Sequence, residues 1–266
     1  MGEGELQGMR HVYKLIDLSV LGLGVSALPQ LLASVERAGF DGLSVTHPCK
    51  QAVIPHLDEL SDEARLLGAV NTVVLSGGRR SGHNTDWIGF SEAFRRELGD
   101  LERGRIVQLG AGGAGAAVAH AVLSAGAGEL TLFDAEPDRA AALMATLSTC
   151  HPGRIATGLD LAAAVARADG LINATPVGMH THPGMPLPGG LLRSGLWVAD
   201  VIYHPAETEL LRRARALGAR TMNGGGMLVF QAVEQFRLFT GVLPDADRMW
   251  SRFAALHANG TAPEKA

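Results

Sequence analysis

Two residues in the N-terminal third of the chain, Lys50 and Asp86, are of the types that proton transfer requires. Oxidation of an alcohol by hydride loss also requires removal of the hydroxyl proton, and a lysine with a lowered pKa beside a carboxylate can move that proton. Lys50 follows a short apolar strand, and Asp86 precedes a predicted amphipathic helix over 87–98. A plainer interpretation is a solvated lysine and a helix N-cap. The spacing alone leaves both open, and Asp86 can cap the helix and orient Lys50 at once.

Other polar residues lie at the ends of predicted strands in the same part of the chain. They are Thr46, Asn71 and Asn84. Strand ends in an open α/β sheet face the ligand crevice. These residues are therefore candidates to line a small-molecule site together with Lys50 and Asp86.

A second set of residues, from Arg105 to Asp134, has the pattern of a dinucleotide site: strand, glycine turn, helix, strand, acid. The turn comprises Gly110, Ala111, Gly112, Gly113, Ala114 and Gly115. The first glycine permits the tight turn, the second lets the backbone approach a pyrophosphate, and the last allows close packing of the helix. The pyrophosphate then lies on the helix N-terminus, and Asp134 stands where an acid meets a ribose 2′-OH. Because all these parts fall in place, we predict dinucleotide binding rather than a structural glycine turn.

Strands and helices alternate along the chain, which predicts parallel βαβ units and an α/β fold. Strands are expected at 11–17, 42–46, 70–75, 106–109, 130–133, 170–173, 196–201 and 220–222. We expect residues 1–86 to form a first α/β domain without a nucleotide fingerprint. Residues 87–226 should form a Rossmann-type domain with a doubly wound parallel sheet, and 227–266 should contain closing helices that could pack on either domain.

Composition and charge exclude several classes of partner. The 266 residues carry a net charge of −4, so no basic excess exists to neutralise nucleic-acid phosphates or bind an anionic membrane. No apolar run is long enough to span a bilayer, and the N-terminus lacks the apolar region of a signal peptide. Cys49 and Cys150 make no disulfide framework, which favours the cytoplasm. His180 and His182 lack the further ligands of a zinc site, so no metal is expected.

Taken together, the motifs resemble those of the shikimate dehydrogenase family, and most closely its NAD-type quinate/shikimate dehydrogenase branch. The similarity runs in order from about residue 8 to residue 252. The segments that carry it are 45–50 (VTHPCK), 68–72 (GAVNT), 84–86 (NTD), 110–115 (GAGGAG), 173–179 (NATPVGM) and 223–232 (NGGGMLVFQA).

This resemblance implies a role for each candidate residue. Lys50 would transfer the proton with Asp86 as its partner, so that residues 1–86 form the substrate-binding and catalytic domain. The other substrate-binding residues that it implies are Thr46, Asn71, Tyr203 and Gln231. The resemblance also implies that four residues lie along the nicotinamide half of the cofactor: Thr175, Val201, Gly224 and Met227. It also implies that the closing helices return to the first domain, so that Gln231 reaches the substrate.

Two features depart from the family pattern. The family opens with a strand and a Ser-x-Ser-Pro loop whose hydroxyls hold the substrate carboxylate, whereas Met1 falls near the end of the helix that follows this loop. We expect a start codon assigned too late rather than a genuine loss of the strand. Ser44 also stands where the family usually has Asn. Because the loop touches the substrate carboxylate, the choice between quinate and shikimate stays open here.

The residues after the second Rossmann strand favour NAD over NADP. The NADP-dependent branch of the family typically carries an Asn-Arg-Thr type segment there, which offers cations to the 2′-phosphate. Here the segment is Asp134-Ala135-Glu136. A carboxylate accepts a hydrogen bond from the free 2′-OH and repels a 2′-phosphate. Arg139 could stack near the adenine but stands beyond the acidic pair.

The predicted function is therefore NAD-dependent interconversion of quinate or shikimate with 3-dehydroquinate or 3-dehydroshikimate. Its partners would be the cofactor and a small polyhydroxy carboxylate, and a homodimer is left open. One alternative is an NADP-dependent shikimate dehydrogenase of aromatic amino-acid biosynthesis, and another is a non-catalytic NAD- or polyol-binding protein. A methylene-tetrahydrofolate dehydrogenase is disfavoured by the segments 84–86 (NTD) and 224–231 (GGGMLVFQ).

Overall fold

The computed structural model describes residues 2–258, and these divide into two compact units. Residues 2–85 and 232–258 form the first unit, and residues 86–231 form the second. The strands are β1 Gly42–Ser44, β2 Glu59–Leu60, β3 Thr72–Ser76, β4 Arg79–His83, β5 Arg105–Leu109, β6 Glu129–Phe133, β7 Ile155–Thr157, β8 Gly170–Asn173, β9 Trp197–Asp200 and β10 Thr221–Met222. The helices are α1 Gly2–Leu6, α2 Leu28–Arg37, α3 Cys49–Ala52, α4 Asp62–Leu67, α5 Asp86–Glu97, α6 Gly113–Ser124, α7 Pro137–Ser148, α8 Leu161–Arg167, α9 Glu209–Ala216, α10 Gly225–Thr240 and α11 Ala246–Ala258.

The second unit contains a parallel sheet with the strand order β10-β9-β8-β5-β6-β7. One face packs against α8 and α9 through a buried cluster that includes Val107, Leu171 and Leu211. On the opposite face, Phe94 of α5 meets Trp197 of β9 edge to face, with ring centroids 5.3 Å apart. Helices on both faces and order reversal between β5 and β8 make this a doubly wound sheet. The predicted α/β fold is confirmed.

The first unit has a mixed sheet, in the order β1-β3-β4-β2, rather than the parallel βαβ units that the alternation of elements predicted. β3 pairs antiparallel with both β1 and β4, and only β2 runs parallel to its neighbour. The reason is the two-residue turn at Gly77 and Gly78, whose φ angles of 58° and 74° suit a tight hairpin. A chain that reverses in two residues must pair with itself antiparallel.

The strand predicted over 11–17 is wrong for this structure. These residues form neither a strand nor a helix, and Val12 and Tyr13 are 83% and 70% exposed. Alternating apolar residues become a strand only when a neighbouring strand satisfies their backbone groups. In the described part of the chain, β1 lies at the sheet edge and pairs with β3.

Smaller differences concern boundaries. α5 begins at Asp86 itself, so this residue is in the first turn rather than at the predicted N-cap. Ser61 is the N-cap of α4, because its side chain accepts a hydrogen bond from Ala64 N at 3.2 Å. The strands β2, β4 and β7 were not predicted. β2 and β7 have only two or three residues, which show no periodicity, and β4 (RRSGH) has no apolar alternation. Among the described residues, no helix combines the length and the hydropathy needed to cross a membrane.

Candidate active site

In the first unit, three predicted substrate residues lie at one end of the mixed sheet. Val45 N donates to Asn71 O at 2.7 Å, and Cys49 N donates to Thr46 O at 2.8 Å. Val70 N donates to the carbonyl oxygen of Lys50 at 2.8 Å. The structure therefore brings Thr46, Lys50 and Asn71 together, because the chain leaving β1 folds back beside the chain that enters β3.

Asn71 is buried, and its amide is held in one orientation. Its Oδ1 accepts from Thr85 N at 2.7 Å and from Thr72 Oγ1 at 2.9 Å, and its Nδ2 donates to Thr85 Oγ1 at 3.0 Å. Asn84 is also buried and donates from Nδ2 to Ala69 O at 3.0 Å. These bonds fix the strand ends at the point where the chain reaches Asp86.

Sequence reasoning missed Gln235, a buried residue of α10. Its Nε2 donates to Thr72 Oγ1 at 2.9 Å, to Ser44 Oγ at 3.2 Å and to Asn71 O at 3.3 Å. Gln235 lies one helical turn after Gln231, so the two share a face of α10. That spacing is the signal that would have found it. Ser44, which departs from the family pattern, is thus a hydrogen-bond acceptor for the closing helix.

In the second unit, the glycine turn joins β5 to α6. Gly110 has a φ of 96°, and a Cβ on it would lie 2.7 Å from Ala174 O. A Cβ on Gly115 would lie 2.3 Å from Gly110 O, so the first turn of α6 packs directly on the turn. Gln108, which sequence reasoning missed, ties the two ends by donating from Nε2 to Gly110 O at 2.9 Å and Gly115 O at 2.8 Å. Glycine is thus required at both positions.

Gly112 and Gly113 differ from the other turn glycines. A Cβ built on either would meet nothing within 4 Å, so the space in front of them is open. Gly112 is the N-cap of the twelve-residue helix α6, whose first N–H groups have no intrahelical acceptors. An open approach to such a helix end fits a pyrophosphate.

Asp134 follows β6, and its buried carboxylate holds the glycine turn. Oδ2 accepts from Ala111 N at 2.7 Å, and Oδ1 accepts from Glu136 N at 2.9 Å. Arg139 Nη2 is 2.5 Å from Glu136 Oε1, and Nη1 is 3.5 Å from Asp134 Oδ1. The predicted residues Ala111, Asp134 and Arg139 therefore lie close together. The guanidinium of Arg139 is paired with the carboxylates of both Asp134 and Glu136.

The predicted nicotinamide residues Thr175, Val201 and Gly224 also lie close together. Thr175 Oγ1 donates to Asn173 Oδ1 at 2.7 Å, and Val201 N donates to Asn173 O at 3.0 Å. A Cβ on Gly224 would lie 1.9 Å from Val201 O, so only glycine fits there. Asn173 thus connects the loops after β8 and β9. Tyr203, farther along the second of these loops, is exposed.

Asp86, Met227 and Gln231 lie on two helices that cross at very short range. A Cβ on Gly89 of α5 would lie 2.4 Å from Met227 O and 2.7 Å from Gln231 N of α10. The missing side chain lets the two backbones touch. The crossing therefore fixes the first turn of α5, which begins with Asp86, against the first turns of α10.

A doubly wound parallel sheet with this glycine turn and an acid after its second strand defines a dinucleotide-binding α/β protein. Two family models match the chain: "Shikimate dehydrogenase substrate binding domain" over residues 3–73 and "Shikimate 5'-dehydrogenase C-terminal domain" over 224–252. The shikimate dehydrogenase (NADP(+)) of Streptomyces avermitilis is 56% identical over 96% of this chain and 88% of the relative. The chain belongs to the shikimate dehydrogenase family.

Relatives of both cofactor types occur among the similar proteins. The quinate/shikimate dehydrogenase (NAD(+)) of Corynebacterium efficiens is 45% identical over 96% of this chain and 91% of the relative. The structure of quinate dehydrogenase from Corynebacterium glutamicum in complex with NAD matches with a TM-score of 0.89 and 43% identity, covering 96% of this chain and 92% of that one. The chain is thus an NAD(P)-dependent oxidoreductase that acts on CH–OH groups.

Proposed function

We propose that the protein oxidises quinate or shikimate reversibly with NAD as cofactor, giving 3-dehydroquinate or 3-dehydroshikimate. Lys50 accepts the proton of the reacting hydroxyl, and Asp86 orients and stabilises the charged lysine. Bound nicotinamide supplies the hydride acceptor. Lys50 suits the role because its backbone is tied to the strand end at Val70, which fixes the base of its side chain.

The substrate hydroxyls would be held by polar side chains on preformed supports. Asn71 has a fixed amide, Thr46 is tied by its carbonyl oxygen to α3, and Gln231 lies on α10 one turn before the buried Gln235. Tyr203 completes the set from the loop after β9. Preorganised groups of this kind lose little entropy when they bind a polyol.

The preference for NAD rests on one observation, the group formed by Asp134, Glu136 and Arg139. Two carboxylates and one guanidinium leave this group with one net negative charge, and the arginine is already paired. A carboxylate has about four acceptor positions. Asp134 can therefore accept a hydrogen bond from a ribose 2′-OH in addition to those from Ala111 N and Glu136 N. A 2′-phosphate would meet repulsion instead.

The proton-transfer role is tested by Lys50→Ala, with Lys14→Ala as the control because Lys14 is an exposed lysine of the same unit. We expect Lys50→Ala to lower kcat by roughly 100-fold or more. NAD affinity should stay unchanged, and Lys14→Ala should behave like the parent. An unaltered kcat in Lys50→Ala would remove Lys50 from the mechanism.

A second candidate is an NADP-dependent shikimate dehydrogenase of aromatic amino-acid biosynthesis. The observation that favours it is the name shikimate dehydrogenase (NADP(+)) on relatives that are 56% and 50% identical. The two candidate functions use the same catalytic residues. They differ in which cofactor Asp134 and Glu136 admit, so cofactor kinetics separate them. For either activity we propose a cytoplasmic location, because Cys49 and Cys150 are unpaired thiols.

A further inference from the structure

The carboxylate of Asp200, the last residue of β9, is fully buried in the second unit. Its Oδ1 accepts from Ile202 N and from Asn173 Nδ2, both at 3.1 Å, and its Oδ2 accepts from Thr208 Oγ1 at 2.8 Å. The catalytic scheme above does not use this group. Burying a carboxylate costs free energy that hydrogen bonds only partly offset, so its presence here calls for a role that an apolar side chain cannot fill.

The three donors belong to segments that diverge from the carboxyl end of the sheet. Asn173 closes β8, and its Oδ1 accepts from both Thr175 N at 3.1 Å and Thr175 Oγ1 at 2.7 Å. Ile202 is in the loop after β9, and its carbonyl oxygen accepts from Gly224 N at 2.9 Å. Thr208 is the N-cap of α9, where its Oγ1 accepts from Leu211 N at 3.3 Å. Asp200 therefore connects the loop after β8 with the loop after β9 directly, and it connects both with the turn at Gly224 through Ile202.

The position of these loops relative to a dinucleotide follows from the fold. The glycine turn after β5 takes the pyrophosphate, and the end of β6 takes the adenosine ribose. In a doubly wound sheet the other half of the ligand extends across the switch point, over the ends of β8 and β9. The loops fastened by Asp200 thus face the nicotinamide half and not the adenosine half.

We propose that Asp200 is a positioning residue that holds the loops carrying Thr175, Val201 and Gly224 in the arrangement that receives the nicotinamide. The proposal rests on the proposed nicotinamide chemistry of this unit. Burial raises the pKa of Asp200 to about 6, although the three hydrogen bonds act in the opposite direction. Two of the three bonds are accepted by Oδ1, so a neutral group of the same shape that keeps an acceptor at this position can hold the loops after β8 and β9.

Asparagine has that shape. In Asp200→Asn the amide oxygen can still accept from Ile202 N and Asn173 Nδ2, and the amide nitrogen can donate to Thr208 Oγ1 if the hydroxyl turns. In Asp200→Ala all three donors lose this acceptor, and in Thr208→Val the bond to Oδ2 is lost together with the capping bond from Leu211 N. Asp160→Ala is the matched control, because Asp160 caps α8 through Ala163 N in the same unit without touching these loops.

The test compares the dissociation constants of NAD and ADP-ribose, which lacks the nicotinamide, together with kcat. We expect Asp200→Ala to weaken NAD by roughly tenfold or more relative to ADP-ribose and to lower kcat. Thr208→Val should show a smaller loss of the same selectivity, and Asp200→Asn and Asp160→Ala should keep the parent ratio. Equal weakening of both ligands, or an unchanged ratio in folded Asp200→Ala, would overturn the proposal.

If Asp200→Ala does not fold, Thr208→Val decides, and a parent ratio in the folded variant rejects the proposal. The binding ratio does not depend on turnover of quinate or shikimate. If the protein prefers NADP, the same ratio is measured with NADP and 2′-phospho-ADP-ribose. Failure of the proposed function and failure of the Asp200 proposal are therefore distinguishable.

Discussion

Glu97, the last residue of α5, should make the second unit less stable as the pH rises from about 4.5 to about 7. Its Oε1 is buried and has no hydrogen-bond partner in the described part of the chain. A Cβ on Gly226 of α10 would lie 3.0 Å from this oxygen, so the carboxyl group faces the first turn of α10. Burial raises the pKa of Glu97 from 4.5 to about 7, and the charge of Arg215 only partly opposes this shift.

The magnitude follows from proton linkage. Because the folded state binds the proton of Glu97 more tightly than the unfolded chain does, the free energy of unfolding falls as pH rises from about 4.5 to about 7. Each pH unit between the two pKa values corresponds to about 1.4 kcal/mol, which gives roughly 3 kcal/mol. Glu97 is only half-buried, and screening by solvent reduces this to roughly 1–2 kcal/mol.

The assay is denaturant unfolding of the parent and Glu97→Gln at pH 5, 6, 7 and 8. Glutamine keeps the shape of the side chain and removes the charge. We expect Glu97→Gln to exceed the parent by roughly 1–2 kcal/mol at pH 8 and to approach it near pH 5. Glu102→Gln, at an exposed position in the same unit, should show no such trend. A constant difference between parent and Glu97→Gln at every pH would refute the reasoning.

Two further predictions concern packing and charge. Gly89→Ala should force α5 away from α10, because its Cβ would lie 2.4 Å from Met227 O. We expect the free energy of unfolding to fall by roughly 1–3 kcal/mol and kcat/KM to decrease. Gly190→Ala is the control and should change neither quantity, because a Cβ on Gly190 would meet nothing within 4 Å. In the first unit, two hydrogen bonds from Arg248 hold the pKa of Glu3 down at about 2. The contribution of Glu3 to stability is therefore present above pH 4.5 and is lost as the pH falls towards 2. Glu3→Gln should remove this acid dependence in a pH series of amide exchange in α1, and a series like that of the parent would contradict the prediction.

The Rossmann unit was predictable because its signals are local. Glycine spacing, an apolar run on each side and Asp134 lie within thirty residues, and the turn geometry at Gly110 leaves few alternatives. The mixed sheet of the first unit was not predicted from the alternation of strands and helices, which carries no information on strand direction. The pair Gly77-Gly78 does carry that information, because a two-residue hairpin turn makes the strands on either side of it antiparallel. The 11–17 segment shows the opposite case, in which a rough alternation produced no strand because a strand needs a neighbour to pair with.

Most of the supporting polar residues could not be predicted from spacing; Gln235, one helical turn after Gln231, is the exception. Gln108, Asn173 and Asp200 acquire their importance from hydrogen bonds to residues that are distant in sequence or to backbone atoms, neither of which a pattern of side-chain types reveals. Asn173 lies within a recognised motif, but its connection to the loop after β9 emerged only from the fold. The sequence therefore suggested candidate contact residues, which stay predictions, whereas most of the residues that hold them in place emerged only from the fold.

The central claim, NAD-dependent oxidation of quinate or shikimate, is tested most directly by the ratio of kcat/KM for NAD to kcat/KM for NADP. The ratio is measured with each substrate at equal, subsaturating cofactor concentrations. Because the Asp134, Glu136 and Arg139 group carries one net negative charge, the account predicts a ratio of roughly tenfold or more in favour of NAD with at least one substrate. Faster turnover with NADP than with NAD, or no turnover of either substrate, would contradict it.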